Sequence, residues 1–125
     1  MPSAGDRYRV TIKEAHLNWG THRYTNTRPR RGNESYIQIP AAHAYSIGIR
    51  AGSTYNCVSV EGTLNTTLLA SGQQSDPLYA KQFESMGDLT ILGNWLHNVC
   101  RASVGDKIDV YWITPTDMEL TFIRQ

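Results

Sequence analysis

The chain has 125 residues, 40% of them hydrophobic and 18% charged, with a formal net charge of +1. This is an ordinary globular composition, large enough to bury a core without staples, and it excludes a disordered or membrane-embedded class; one domain over residues 1–125 is expected. Near neutrality excludes a global attraction to polyanions, so any affinity for nucleic acid must come from local clustering of charge.

From the start, Met1–Asp6 carries no pattern. Over Tyr8–Glu14, Tyr8, Val10 and Ile12 alternate with Arg9, Thr11 and Lys13, the period of a half-buried strand. The next stretch, His16–Arg31, reads HLNWGTHRYTNTRPRR and shows neither a sustained apolar period nor a strand pattern, with Gly20 and Pro29 as breakers. It predicts a long loop or hairpin arm running on to Asn33. Ser35–Ile39 reads as a second strand. Pro40 suits a first helical turn, where its missing N–H costs nothing, and Gly48 marks a stop, so AAHAYSIGI predicts a short helix. His43 within it is expected to be a partly buried structural side chain.

Arg50–Ser53 turns into a third strand, Thr54–Val60, and Glu61-Gly62 returns the chain along Leu64–Ala70 as a hairpin. Ser71–Leu78 (SGQQSDPL) is a second polar loop, punctuated by Gly72 and Pro77, and it ends in YAKQF, a short strand or arm edge. Leu89–Leu92 fits either a strand or the start of a helix. Asn94 is a good N-cap for a helix over Trp95–Cys100, with Trp95, Leu96 and Val99 on its apolar face. Val104-Gly105-Asp106 turns into Lys107–Ile113, where Ile108, Val110 and Trp112 alternate with polar neighbours. Thr114–Asp117 then reverses the chain into Met118–Ile123. About seven short strands with two short helices predict a mainly β barrel or sandwich.

Cys57 and Cys100 have no metal-ligand spacing and lie among apolar residues, so buried free thiols are expected. The opening MPSAGDRYR lacks the apolar core of a signal peptide and no stretch reaches membrane-spanning length, so a cytoplasmic protein without a membrane partner is expected.

The chemistry concentrates in His16–Arg31. Arg23, Arg28, Arg30 and Arg31 occur there without an Asp or Glu, interleaved with His16, Asn18, Trp19, Thr21, His22, Tyr24 and Asn26. Guanidinium groups suit phosphates, whereas amides and imidazoles both donate and accept toward base edges. Disordered loops are poor in aromatics, so this mixture favours nucleic-acid contact over a merely solvated face. The second polar loop and its edge supply Gln73, Gln74, Asp76, Tyr79, Lys81 and Gln82. Glutamine can pair with adenine N6 and N7, and Asp can accept from cytosine N4.

At SYIQIPAAHAYSIGIRAG, YAKQF, LGNWL and VGDKIDVYWITPTDMELTFI the chain resembles the DNA-binding pseudobarrel of the plant B-three type, a fold shared with effector or specificity domains of bacterial restriction endonucleases. The resemblance spans about Tyr8 to Ile123. It implies a mainly β, open seven-stranded pseudobarrel with two short helices. It also implies two arms that enter the major groove of double-stranded DNA, placed at His16–Asn33 and Ser71–Phe83. The position of the arms carries over, but not the base specificity. A nuclease domain or subunit is the further partner it implies. IQIPAAHAYSIGIRAG also resembles the small swapped-hairpin regulators of the AbrB kind, which leave the second half of the chain unaccounted for.

An enzyme reading rests on Asp106, Asp109, Asp117 and Glu119, which could gather on the last hairpin and bind magnesium for phosphodiester cleavage. Against it, Gly-Asp is a common turn, and Asp109 and Glu119 alternate with apolar residues as solvent-facing side chains do. His16, His22, His43 and His97 have no zinc spacing. No catalytic residue, metal or cofactor is therefore assigned. The expected function is a DNA-binding module of a restriction-modification system that leaves cleavage to another domain or subunit. The alternatives are a small magnesium-dependent nuclease and, third, a carbohydrate- or protein-binding β domain.

Overall fold

Period-two alternation becomes inner and outer faces in the computed structural model, which describes residues 1–13 and 35–125. Strand β1 (Arg7–Thr11) buries Tyr8 and Val10 and exposes Arg7, Arg9 and Thr11. β2 (Ile37–Gln38) buries Ile37, and β3 (Thr54–Ser59) buries Tyr55, Cys57 and Ser59. β4 (Asn65–Ser71) turns Leu68 and Ala70 inward, and β5 (Gln82–Ser85) turns in Phe83 and Ser85. The last hairpin, β6 (Lys107–Thr114) and β7 (Asp117–Ile123), supplies Ile108, Val110, Trp112, Met118 and Leu120.

The seven strands make one sheet in the order β1-β6-β7-β3-β4-β5-β2. Every neighbour pair is antiparallel except β3–β7. The sheet curls until its two edges meet. The Tyr8 hydroxyl on β1 donates to the Gln38 carbonyl on β2 at 3.1 Å, which makes the sheet a nearly closed barrel. Burial, reinforced by Cys57, raises the Tyr8 hydroxyl well above its ordinary pKa, so it remains a donor. Its ring stacks on half-buried His43 at 5.3 Å and lies 6.3 Å from Trp112. Trp112 is fully buried at the barrel centre, with Tyr55 edge-on at 5.8 Å and Phe83 at 6.2 Å.

The pairing runs the odd-numbered strands toward one end of the barrel and the even-numbered strands away from it. Helix α1 (Ala41–Ile47) links β2 to β3 at one end. It begins after Pro40 and stops at Gly48, whose left-handed backbone (φ 83°) lets its N–H reach Ala44 O; a Cβ at Gly48 would also strike the main chain of Met1. Helix α2 (Thr90–Asn94) continues into a π-helical turn, Trp95–Val99, and links β5 to β6 at the other end.

Four expectations change. The second helix begins at Thr90, not after Asn94: the Asp88 carboxylate takes the Thr90 N–H and hydroxyl at 2.9 and 2.6 Å, and Leu92, Trp95 and Leu96 form the buried face. Val99 leaves that face and is 52% exposed, because the π turn shifts the side chains that follow it. The expected Ser35–Ile39 strand contracts to Ile37–Gln38, since β2 has a ladder partner on one side only. Of YAKQF, only Gln82 and Phe83 enter β5. Both cysteines are buried and free, with burial pushing each thiol up to about 12. No helix among the described residues is long and apolar enough to cross a membrane.

Tyr8→Phe keeps the packing and removes the bond between the edges. It should cost about 1 kcal/mol, the net worth of one hydrogen bond. Urea unfolding should show a lower midpoint at unchanged slope. An unchanged midpoint would show that the edges are held by packing alone.

Candidate nucleic-acid interface

β5 lies between β4 and β2, and its two ends mark the roots of two connections. Ser71 pairs with Gln82 across β4–β5, so loop 72–81 leaves the barrel at the α1 end. Ile37 faces Phe83 and Gln38 faces Gln82. Continued by two residues, that register sets Ser35 level with Ser85. Segment 14–34 joins β1 to β2 and is thus rooted at the α2 end, at Lys13 and Ser35. Three residue steps of roughly 3.3 Å separate the two levels, about 10 Å along β5. The major groove is about 12 Å wide. His16, Asn18, Trp19, Thr21, His22, Arg23, Tyr24, Asn26, Arg28, Arg30 and Arg31 all lie outside the described residues.

Loop 72–81 is braced from within. Asp76 closes a tight turn: its carboxylate accepts the Leu78 N–H at 3.1 Å and its carbonyl accepts that of Tyr79 at 3.1 Å. The Gln74 N–H meets Tyr79 O at 3.0 Å, and its side-chain amide donates to Ile39 O at 2.7 Å and Ala80 O at 3.1 Å. Gln74 is thereby a strut, with the amide protons that adenine pairing requires already spent on the main chain. Gln73, Asp76 and Lys81 are exposed, and Tyr79 and Gln82 are partly so. The Tyr79 ring rests edge-on against Tyr45 at 5.0 Å. Gly72 (φ 69°) lets the chain approach closely here, since a Cβ would lie 3.1 Å from Lys81 Cβ and 3.4 Å from Gln82 Oε1.

Two residues join this surface that local sequence reasoning passes over. Arg50 is exposed and opposite Tyr79 in an isolated antiparallel bridge. Flanking bonds Ala80 N–H to Ile49 O and Ala51 N–H to Leu78 O make it the close, non-hydrogen-bonded kind of pair, which places the two side chains together. Gln38 faces outward beside Gln82, so two amides share the floor between the roots. Both placements come from long-range pairing, and the only available hint was the alternation in SYIQI.

The four carboxylates of the last hairpin have separate occupations. Asp106 is buried and accepts the N–H groups of Ser103 and Gln125 at 2.9 and 2.8 Å, which holds its carboxyl below the ordinary value. Asp109 pairs with Arg9 and Asp117 accepts from Thr114 and Asn56; those hydrogen bonds lower their pKa values too. Glu119 lines a shallow outer pocket with Arg7, Asp109, Tyr111 and Thr121. Among the described residues, no group of three His, Cys, Asp or Glu side chains could hold a metal ion.

A family model described as the NgoFVII C-terminal B3-like DNA-binding domain matches residues 6–116. Among solved structures, the N-terminal domain of Helicobacter pylori LlaJI.R1 has the same fold: the TM-score is 0.60, over 94% of this chain and 87% of that one, at 10% identity. No curated protein matches the chain.

Gln74→Ala strips two carbonyls of their donor and should destabilise the fold by about 1–2 kcal/mol, whereas exposed Gln73→Ala should stay within about 0.5 kcal/mol. Equal effects in chemical unfolding would contradict the strut. Asp106→Ala should cost stability at neutral pH. Because the folded carboxyl titrates below its unfolded value, wild type holds its advantage above pH 3.8 and loses it as pH falls through the lower folded value. A gap between wild type and variant that widens with acid would contradict this.

Proposed function

The chain belongs to the family of the NgoFVII C-terminal B3-like DNA-binding domain, a DNA-binding pseudobarrel of restriction enzymes, and from that premise we propose a two-armed grip on duplex DNA. Arm one is His16–Asn33 and arm two is the loop from Gly72 into Gln82; both enter the major groove. The carrying observation is the pair of roots at opposite ends of β5, separated by about one groove's width. In this reading the module recognises a sequence for a restriction-modification system, and cleavage belongs to another domain or subunit.

Labour divides by charge. Arm one clamps phosphates through Arg28, Arg30 and Arg31, while Asn18, His22, Arg23 or Asn26 reach base edges. Arm two sets Lys81 against Asp76, with Arg50 opposite Tyr79, so it adds little net charge. Gln73 and Gln82 read bases, and Gln74 acts by shaping the loop.

The test is competition of a duplex selected from a random pool against random duplex. Each of Arg28, Arg30 and Arg31 changed to Ala should weaken both and flatten the log–log salt slope by about 1. Gln73→Ala with Gln82→Ala should lower preference for the selected site, by about 1–3 kcal/mol for each good contact, and leave random binding nearly intact. Equal losses from the glutamine pair would remove arm two from sequence reading. The purified chain should leave DNA intact when magnesium is added; cleavage abolished by Asp109→Ala would instead establish the nuclease.

A further inference from the structure

Arg101 has φ 50°, and among the described residues it is the only non-glycine with a positive φ. It directly follows Cys100, the C-cap of the π-helical turn. This is where a chain leaving a helix favours glycine, because a Cβ crowds the neighbouring carbonyl in left-handed backbone. An exposed arginine held in that state points to a use for its side chain.

Three further cations lie around the same end of the barrel. The Arg124 guanidinium donates to Cys100 O at 2.6 Å and Arg101 O at 3.4 Å, which fixes it against the same turn. Lys107 faces Thr11 on β1, and the Gly105 N–H bonds Ile12 O, which brings Lys13 alongside the Gly105 turn. Arg124 and Lys107 both act on Asp106, whose carboxylate is already occupied by the Ser103 and Gln125 N–H groups. Glu61, which acts on Cys100, and Asp88, whose carboxylate holds the start of α2, also lie at this end. Four cations therefore ring the α2 end of the barrel, and the ring runs into Lys13, the root of arm one.

We propose that this rim, with Arg101 foremost, is a contact for the DNA phosphate backbone outside both arms. The inference rests on the two-armed reading above and extends its footprint along the duplex. Phosphate contact carries no sequence information, so the rim strengthens cognate and random binding alike.

Arg101→Gly separates strain from use, because it relieves the backbone while deleting the charge. The variant should unfold at the same or a higher urea concentration than wild type. It should still lose affinity for the selected and random duplexes in equal proportion, with a salt slope lower by about 1; Arg101→Lys should restore the slope. Lys107→Gln should lower it by about 1 again. If wild type binds and Arg101→Gly matches it in affinity and slope, the rim is overturned while the two-armed grip stands. A loss confined to the selected duplex would also overturn it. A wild-type chain that binds no duplex would remove the grip and the rim together.

Discussion

The hydroxyl of Tyr8 joins the first and last strands of the sheet by donating to the Gln38 carbonyl, and the site depends on that closure. A curled sheet has two edges whose backbone groups want partners. Here one edge carries a tyrosine long enough to reach across the seam. Its ring is anchored by His43 outside and Trp112 inside, so the bond forms without an added strand. The net worth of that one hydrogen bond is small, about 1 kcal/mol. The aromatic cluster of Tyr8, Tyr55, Phe83 and Trp112 makes the closed form the well-packed one.

Closure ties β1 to β2, which its own ladder already sets beside β5, and so fixes this pair in the barrel wall. β5 then has one connection rooted at each end and the Gln38–Gln82 pair between them, the spacing on which the proposed grip rests. Loop 72–81 is braced: Asp76 holds its turn, and Gln74 ties it to Ile39 and Ala80. In the proposed grip, a pre-formed loop would lose little freedom on docking, which leaves its exposed side chains free to discriminate. Net charge says nothing of this arrangement. Location does: Lys13, Arg101, Lys107 and Arg124 gather at the α2 end, while Arg50 and Lys81 stand at loop 72–81.

Much of the fold was legible in the chain because alternation in Tyr8–Ile12, Lys107–Trp112 and Met118–Leu120 maps directly onto a barrel wall. Pro40 and Gly48 likewise announced the first helix. The second helix was misread because Asn94 has the chemistry of an N-cap, while the side chain that holds the helix start, Asp88, lies in an apparent breaker, Met86-Gly87-Asp88. A π turn has no simple sequence signature, and it moved Val99 to the surface. For the site, residue type revealed that Gln73, Gln74 and Gln82 were candidates, but only hydrogen-bond geometry separated the strut from the other two. Arg50 and Gln38 depend on partners about thirty to forty-five positions away, beyond any local reading. The basic stretch His16–Arg31 was legible through its composition and remains outside the described residues.

The central claim is that duplex DNA lies across the β2–β5 side of the barrel, between the two roots. Amide hydrogen exchange with and without a duplex selected from a random pool tests it most directly. The account predicts slowed exchange in peptides covering 35–38 and 72–82, and no change at the β6–β7 turn, Thr114–Asp117, on the opposite wall. Protection of Thr114–Asp117 with none at 72–82 would contradict it.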